Sequence, residues 1–153
     1  MSEADDRFAI IAVLDRYAEV LDRRSWSGLA DVFTDDIDMD FGTWHATNLA
    51  QVTSHIRSFL DGCGPSQHLL GNYRIDLDGD TARSRCYIRV MHFGRDEHEG
   101  KTYEMWGEYR DDLVRTPHGW RSRRRRAHPW MQQGDITLLG PGTTADRADR
   151  GRS

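Results

Sequence analysis

The chain has 153 residues, 37% hydrophobic and 30% charged, with a net charge of −4. That length suits one domain with a real core, and the negative balance argues against nucleic acid or an acidic membrane surface as the main partner. The cysteines, Cys63 and Cys86, share no metal or redox spacing and read as reduced thiols of a cytoplasmic protein. The acidic start MSEADDR lacks the apolar segment of a signal peptide. No run approaches the ~20 apolar residues that would span a membrane.

The first element is an amphipathic helix over Asp6–Arg23. Ile11, Leu14, Ala18 and Leu21 form its apolar stripe, with Arg16, Glu19 and Arg23 opposite. Tyr17 and Asp22 lie on the two edges of the stripe, Asp22 roughly 20° from Ile11 on an ideal wheel. A carboxylate there opposes the helix dipole and, against a core, needs a cationic or hydrogen-bonding partner. Ser25 can cap a short second helix carrying Trp26, Leu29, Ala30 and Phe33, which Thr34-Asp35-Asp36 ends. Ile37 to Phe41 alternates as a half-buried strand with Ile37, Met39 and Phe41 inward, and a third helix runs from about Asn48 to Asp61. After Gly64-Pro65 come four strands: Gln67–Leu77, Thr81–Phe93, Lys101–Arg115 and Trp120–Met131. The order predicts an α+β cone, three N-terminal helices packed on a curved, mostly antiparallel sheet with a pocket at its open end.

His68, early in the first long strand, is the natural partner for Asp22 if the helices close over the sheet; otherwise it is a structural histidine and Asp22 a surface carboxylate. An Asp–His pair fixes the imidazole tautomer and raises its basicity. Tyr17 is either a proton donor in the pocket or a core tyrosine. In the run Arg121-Ser122-Arg123-Arg124-Arg125-Arg126, alternation sends Arg121, Arg123 and Arg125 to one face and Arg124 and Arg126 to the other. Glu108, Asp111 and Asp112 can pair across to them, leaving one inward arginine as an oxyanion partner. His92 could line the pocket beside Met91, whereas His98 and Glu99 read as solvated loop residues. No metal-ligand set, phosphate loop or nucleotide fingerprint is present, so an enzyme built this way works without a cofactor. The surplus of large apolar groups (Trp26, Phe33, Phe41, Trp44, Phe59, Met105, Trp106, Tyr109) suits a greasy ligand.

Several motifs together make the chain resemble the SnoaL-like branch of the nuclear-transport-factor-2-like superfamily. They are Arg16-Tyr17 with Leu21-Asp22, Leu29–Asp36, Gln67–Asn72, Asp78–Ala82, and Gly107-Glu108-Tyr109 leading to Gly119-Trp120-Arg121. The resemblance covers roughly Asp6 to Asp135, so a domain over 1–135 and a mobile tail over 136–153 are expected. Relatives implied by it include polyketide cyclases, scytalone dehydratase, bile-acid dehydratases, a dehydrochlorinase and dioxygenase small subunits. By position, Asp22 and His68 look like the dyad of the dehydratase and dehydrochlorinase members, and Tyr17 matches the dehydratase tyrosine. The last-strand arginine is Arg125 by counting from Trp120, or Arg124 if the strand bulges.

The expectation is a cofactor-independent lyase or isomerase (dehydratase, double-bond isomerase or cyclase). Its substrate would be hydrophobic and carbonyl-bearing, such as a polyketide or steroid. Tyr17, Asp22, His68 and Arg125 would do the chemistry. Trp26, Phe41, Trp44, Phe59, Met91, His92, Met105 and Tyr109 would line the pocket. Neither nucleic acid nor membrane is expected as a partner; a homodimer or homotrimer through the sheet is, because Tyr87, Trp106 and Trp130 are apolar groups on its outer face. The alternative is a non-catalytic ligand-binding protein or the small subunit of a ring-hydroxylating oxygenase.

Overall fold

The computed structural model describes residues 1–140. Helix α1 spans Glu3–Arg23, starting three residues before the apolar periodicity does, because Ser2 and Asp5 close a reciprocal capping box. Its fully buried line is Ile10, Leu14, Tyr17 and Leu21, rotated toward Tyr17 from the expected stripe; Ile11 is only half-buried. Trp26–Asp31 forms a 3-10 turn instead of a second α-helix, and Ser25 makes no capping bond. Gly28 lets this turn press onto α1, since a Cβ there would sit 2.6 Å from Val20 Cγ2.

Strand β1 covers Phe33–Asp40, so Thr34-Asp35-Asp36 is strand rather than a terminator. Asp35 and Asp36 are exposed, and the ladder slips between Phe33 and Asp38. A two-residue strand, β2 (His45–Ala46), follows, and then helix α2 (Leu49–Leu60), capped by the Asn48 side chain. The four long strands are β3 (Ser66–Asp78), β4 (Thr81–Phe93), β5 (Thr102–Thr116) and β6 (Gly119–Gly134). All six form one sheet in the order β2-β1-β6-β5-β4-β3. Every pair is antiparallel except β1 with β6, which is parallel. A final turn, Ile136–Leu138, buries Leu138, so packed chain extends beyond the expected boundary at residue 135. The rest of the expected tail, 141–153, lies outside the described residues.

Helix α1 is tethered to the sheet at both ends. At its start, buried Asp6 accepts from Arg115 (2.8 and 2.7 Å) and from the Trp120 indole (3.0 Å). At its end, Asp22 reaches β3. The inward face of β4 carries Ala82, Ser84, Cys86, Ile88, Val90 and His92, all buried. Met91 therefore falls on the outer face, against the expectation that it lines a pocket beside His92. On β6, Trp120 and Ser122 point inward, and the register against β5 then skips Arg123. That bulge restores the inward phase at Arg125 and Ala127. It separates Arg125 from Arg121, which alternation had placed on one face, and it selects Arg125 where a bulge was expected to select Arg124. Among the described residues no helix is long and apolar enough to cross a membrane.

Candidate active site

Two constellations involve side chains of α1 and the sheet. In the first, the carboxylate of Asp22 lies 2.6 Å from His68 Nδ1, and the His68 backbone N–H donates to both of its oxygens at 3.1 Å. A carboxylate only accepts, so Nδ1 holds the proton and the lone pair is on Nε2. The His68 side chain is 5% exposed and that of Asp22 25%. Nε2 has no hydrogen bond to a described residue and is not sealed from solvent. A buried imidazole with its donor side anchored and its acceptor side open can take a proton from a ligand.

The second constellation is Arg125 in an aromatic cage. Its guanidinium carbon lies 4.4 Å from the ring centre of Tyr17, 4.6 Å from Tyr109 and 5.1 Å from Phe33. Asp111 takes Nε at 3.0 Å and one terminal nitrogen at 2.9 Å, and both side chains are fully buried. The other terminal nitrogen, Nη1, is buried with no hydrogen-bond partner among the described residues. Burial favours loss of the arginine proton, but the Asp111 charge and hydrogen bonds outweigh it and hold the pKa above the ordinary arginine value. Burial raises the Tyr17 pKa, opposed by the Arg125 charge. Tyr17 stacks edge-on against Phe33 (5.6 Å, 70°) and Tyr109 (5.8 Å, 84°), which locks the ring.

Of the expected lining residues, four fall into one run of touching rings. Tyr109 meets Phe41 at 6.1 Å, Phe41 stacks on Trp44 at 4.8 Å, Trp44 on His55 at 4.3 Å, and His55 meets Phe59 at 5.3 Å. Met105 packs half-buried against the same core. Trp26 is half-buried too, its indole N–H donating to Asp61 at 3.0 Å, so it braces the end of α2. His92 is buried, 5.5 Å from the His68 ring centre. The open concavities flanking α2, of about 550 and 780 Å3, are lined by its outer-face residues and not by the dyad.

Two further arginines of the run are charge-paired, whereas Arg121 donates to the Ala30 and Trp120 carbonyls and Arg123 is exposed. Arg124 meets Asp38 and Asp112, and Arg126 meets Asp38 and Asp40. Glu108 departs from expectation by pairing with Arg85 and Arg110. His98 is half-buried rather than solvated. No group of three or more His, Cys, Asp or Glu among the described residues is placed to hold a metal ion. The sequence expectation that Asp111 pairs across to the arginine run holds at Arg125, but its burial was missed, as were Arg24 and Ser66, which contact the neighbourhood of His92. Ser66 shares strand parity with His68 and was findable on that signal.

The chain matches the SnoaL-like domain over residues 2–126. It is 33% identical over 129 residues to the uncharacterized protein Rv2910c of Mycobacterium tuberculosis, covering 82% of this chain and 86% of the relative. The chain belongs to the SnoaL-like family. Among solved structures, this SnoaL-like chain is similar to a candidate aromatic ring hydroxylase from Novosphingobium aromaticivorans. That likeness has 26% identity and a TM-score of 0.82, over 91% of this chain and 99% of that one. It shares its fold with the hexachlorocyclohexane dehydrochlorinase LinA type 2, at 14% identity and a TM-score of 0.77, over 91% and 96%.

Proposed function

We propose that this SnoaL-like protein is a cofactor-independent lyase or isomerase that begins by removing a proton next to a carbonyl. The observation that carries the reading is the 2.6 Å bond from His68 Nδ1 to Asp22 with Nε2 left unpartnered. Nε2 takes the acidic C–H proton, and Asp22 stabilises the imidazolium that forms. Tyr17 donates its proton to the enolate oxygen or the leaving group. Arg125 acts through Tyr17: fully buried and committed to Asp111, it lends positive charge beneath the ring instead of meeting the substrate. The Tyr109–Phe41–Trp44–Phe59 run supports a hydrophobic, ring-bearing substrate. With the dyad imidazole 5% exposed, entry requires the side chains covering it to part.

A panel of hydrophobic ketones and β-hydroxy ketones, followed for elimination or double-bond migration, tests this. Wild-type turnover with a loss of about 10²–10⁴ in folded His68→Ala supports it; equal turnover in both proteins rejects it. The similarity to a candidate ring hydroxylase favours a second reading, a ligand-binding or oxygenase-subunit role, in which neither protein turns over any panel member. We also propose that the protein self-associates through the outer sheet face and does not bind nucleic acid, since the net charge is −4 and Arg124 and Arg126 are paired with acids.

A further inference from the structure

Arg24 ends α1 in the left-handed region (φ +55°), where glycine or asparagine is usual. Its side chain gives a reason for arginine there. Nη1 donates to the Leu21 carbonyl at 2.5 Å, and Nη2 to the Gly64 carbonyl at 2.7 Å and to Ser66 Oγ at 2.9 Å. It thereby ties together the ends of the two elements that carry Asp22 and His68. Ser66 Oγ in turn lies 2.6 Å from His92 Nδ1.

The donors in this chain can be assigned. A guanidinium can only donate, so Ser66 Oγ accepts from Arg24 and has one proton of its own to give. Its near acceptor is His92 Nδ1; the alternative, Cys63 Sγ, is 3.9 Å away. Cys63 is itself a donor, to the Phe93 carbonyl at 3.3 Å. Nδ1 of His92 is therefore an acceptor, and the ring proton sits on Nε2. The groups facing His92 are His68 from β3, Arg24 from the end of α1, Cys63 from the turn before β3, and the Tyr103 ring from β5, stacked at 6.1 Å. None of them brings a carboxylate, and burial raises the Cys63 pKa. Burial first, then His68 and Arg24, lowers the His92 pKa to about 3.

We propose that Arg24 is a positioning residue that, through Ser66, holds His92 as the neutral Nε2–H tautomer beside His68. His92 then offers no free ring lone pair beside the dyad. This deepens the proposed mechanism and rests on it, but its test needs no turnover.

The experiment is nitrogen NMR of the 15N-histidine-labelled full chain without substrate, from about pH 8 to pH 5. The expected signature for His92 is a pyridine-type Nδ1 and a pyrrole-type Nε2, unchanged across the range. Ser66→Ala removes the donor and should mix the tautomers. Arg24→Gln should do the same by freeing Ser66 Oγ to accept from Nδ1, and Arg24→Lys, which keeps a cationic donor, should restore the wild-type pattern. A pyrrole-type Nδ1 in the wild type, titration of His92 in this range, or a Ser66→Ala spectrum identical to wild type overturns the proposal. A failed dyad shows instead as unchanged turnover in His68→Ala, so the two failures are distinguishable.

Discussion

Replacing Asp111 with asparagine removes the only carboxylate among the described residues that contacts Arg125 and leaves a cation in a cage of three aromatic rings. Both side chains are fully buried, and one guanidinium nitrogen already lacks a partner among the described residues. Breaking a buried pair by removing one member costs about 3–5 kcal/mol. For a domain of this size each kcal/mol lowers Tm by about 2–4 °C, so Asp111→Asn should melt about 6–20 °C below wild type. Urea unfolding by circular dichroism, beside scanning calorimetry, measures both quantities. The double variant Arg125→Met/Asp111→Leu should recover most of the loss, because apolar groups of similar volume need no counter-ion. A cost for Asp111→Asn below about 1 kcal/mol, the range of exposed pairs, would refute the view that this charge is desolvated.

Tyr17→Phe should slow reactions of substrates with poor leaving groups most if the hydroxyl protonates the leaving group. A uniform loss would assign it to the enolate oxygen; kinetics across a leaving-group series decides. Light scattering at micromolar concentration should show more than one chain, and Trp130→Lys should shift it toward 17.7 kDa, since Trp130 and Tyr87 form an exposed edge-to-face pair (51% and 45% exposed). His92 should make stability pH-dependent. Its pKa falls from 6.5 to about 3 on folding, so the unfolded chain binds the proton first and stability drains as pH falls through that window. His92→Gln should flatten the slope there.

What the sequence disclosed followed from the two side-chain periods. The inward edge position of Asp22 was visible on a helical wheel, and the bounds of β4 were visible in its alternation between turns. The buried stripe of α1 was misjudged because Tyr17, weighed as polar, is in fact at its centre. Met91 was legible but misread: it shares parity with Arg83, Arg85 and Arg89, a charged and therefore outward set. Other features had no local signature. The bulge at Arg123 depends on the partner strand, and so does the burial of Asp111 that makes Arg125 tolerable inside. The parallel pairing of β1 with β6 joins segments far apart in sequence, and the acids at Asp35 and Asp36 gave β1 the composition of a turn.

The central claim is that His68 Nε2 removes a proton adjacent to a carbonyl. Deuterium wash-in at the α-carbon of a cyclic aryl ketone such as 2-tetralone, followed by proton NMR in D2O, measures that step without requiring the true leaving group. Wild-type protein should accelerate exchange over buffer, and His68→Ala with an unchanged circular dichroism spectrum should lose about 10²–10⁴ of that acceleration. Equal acceleration by wild type and His68→Ala would contradict the account.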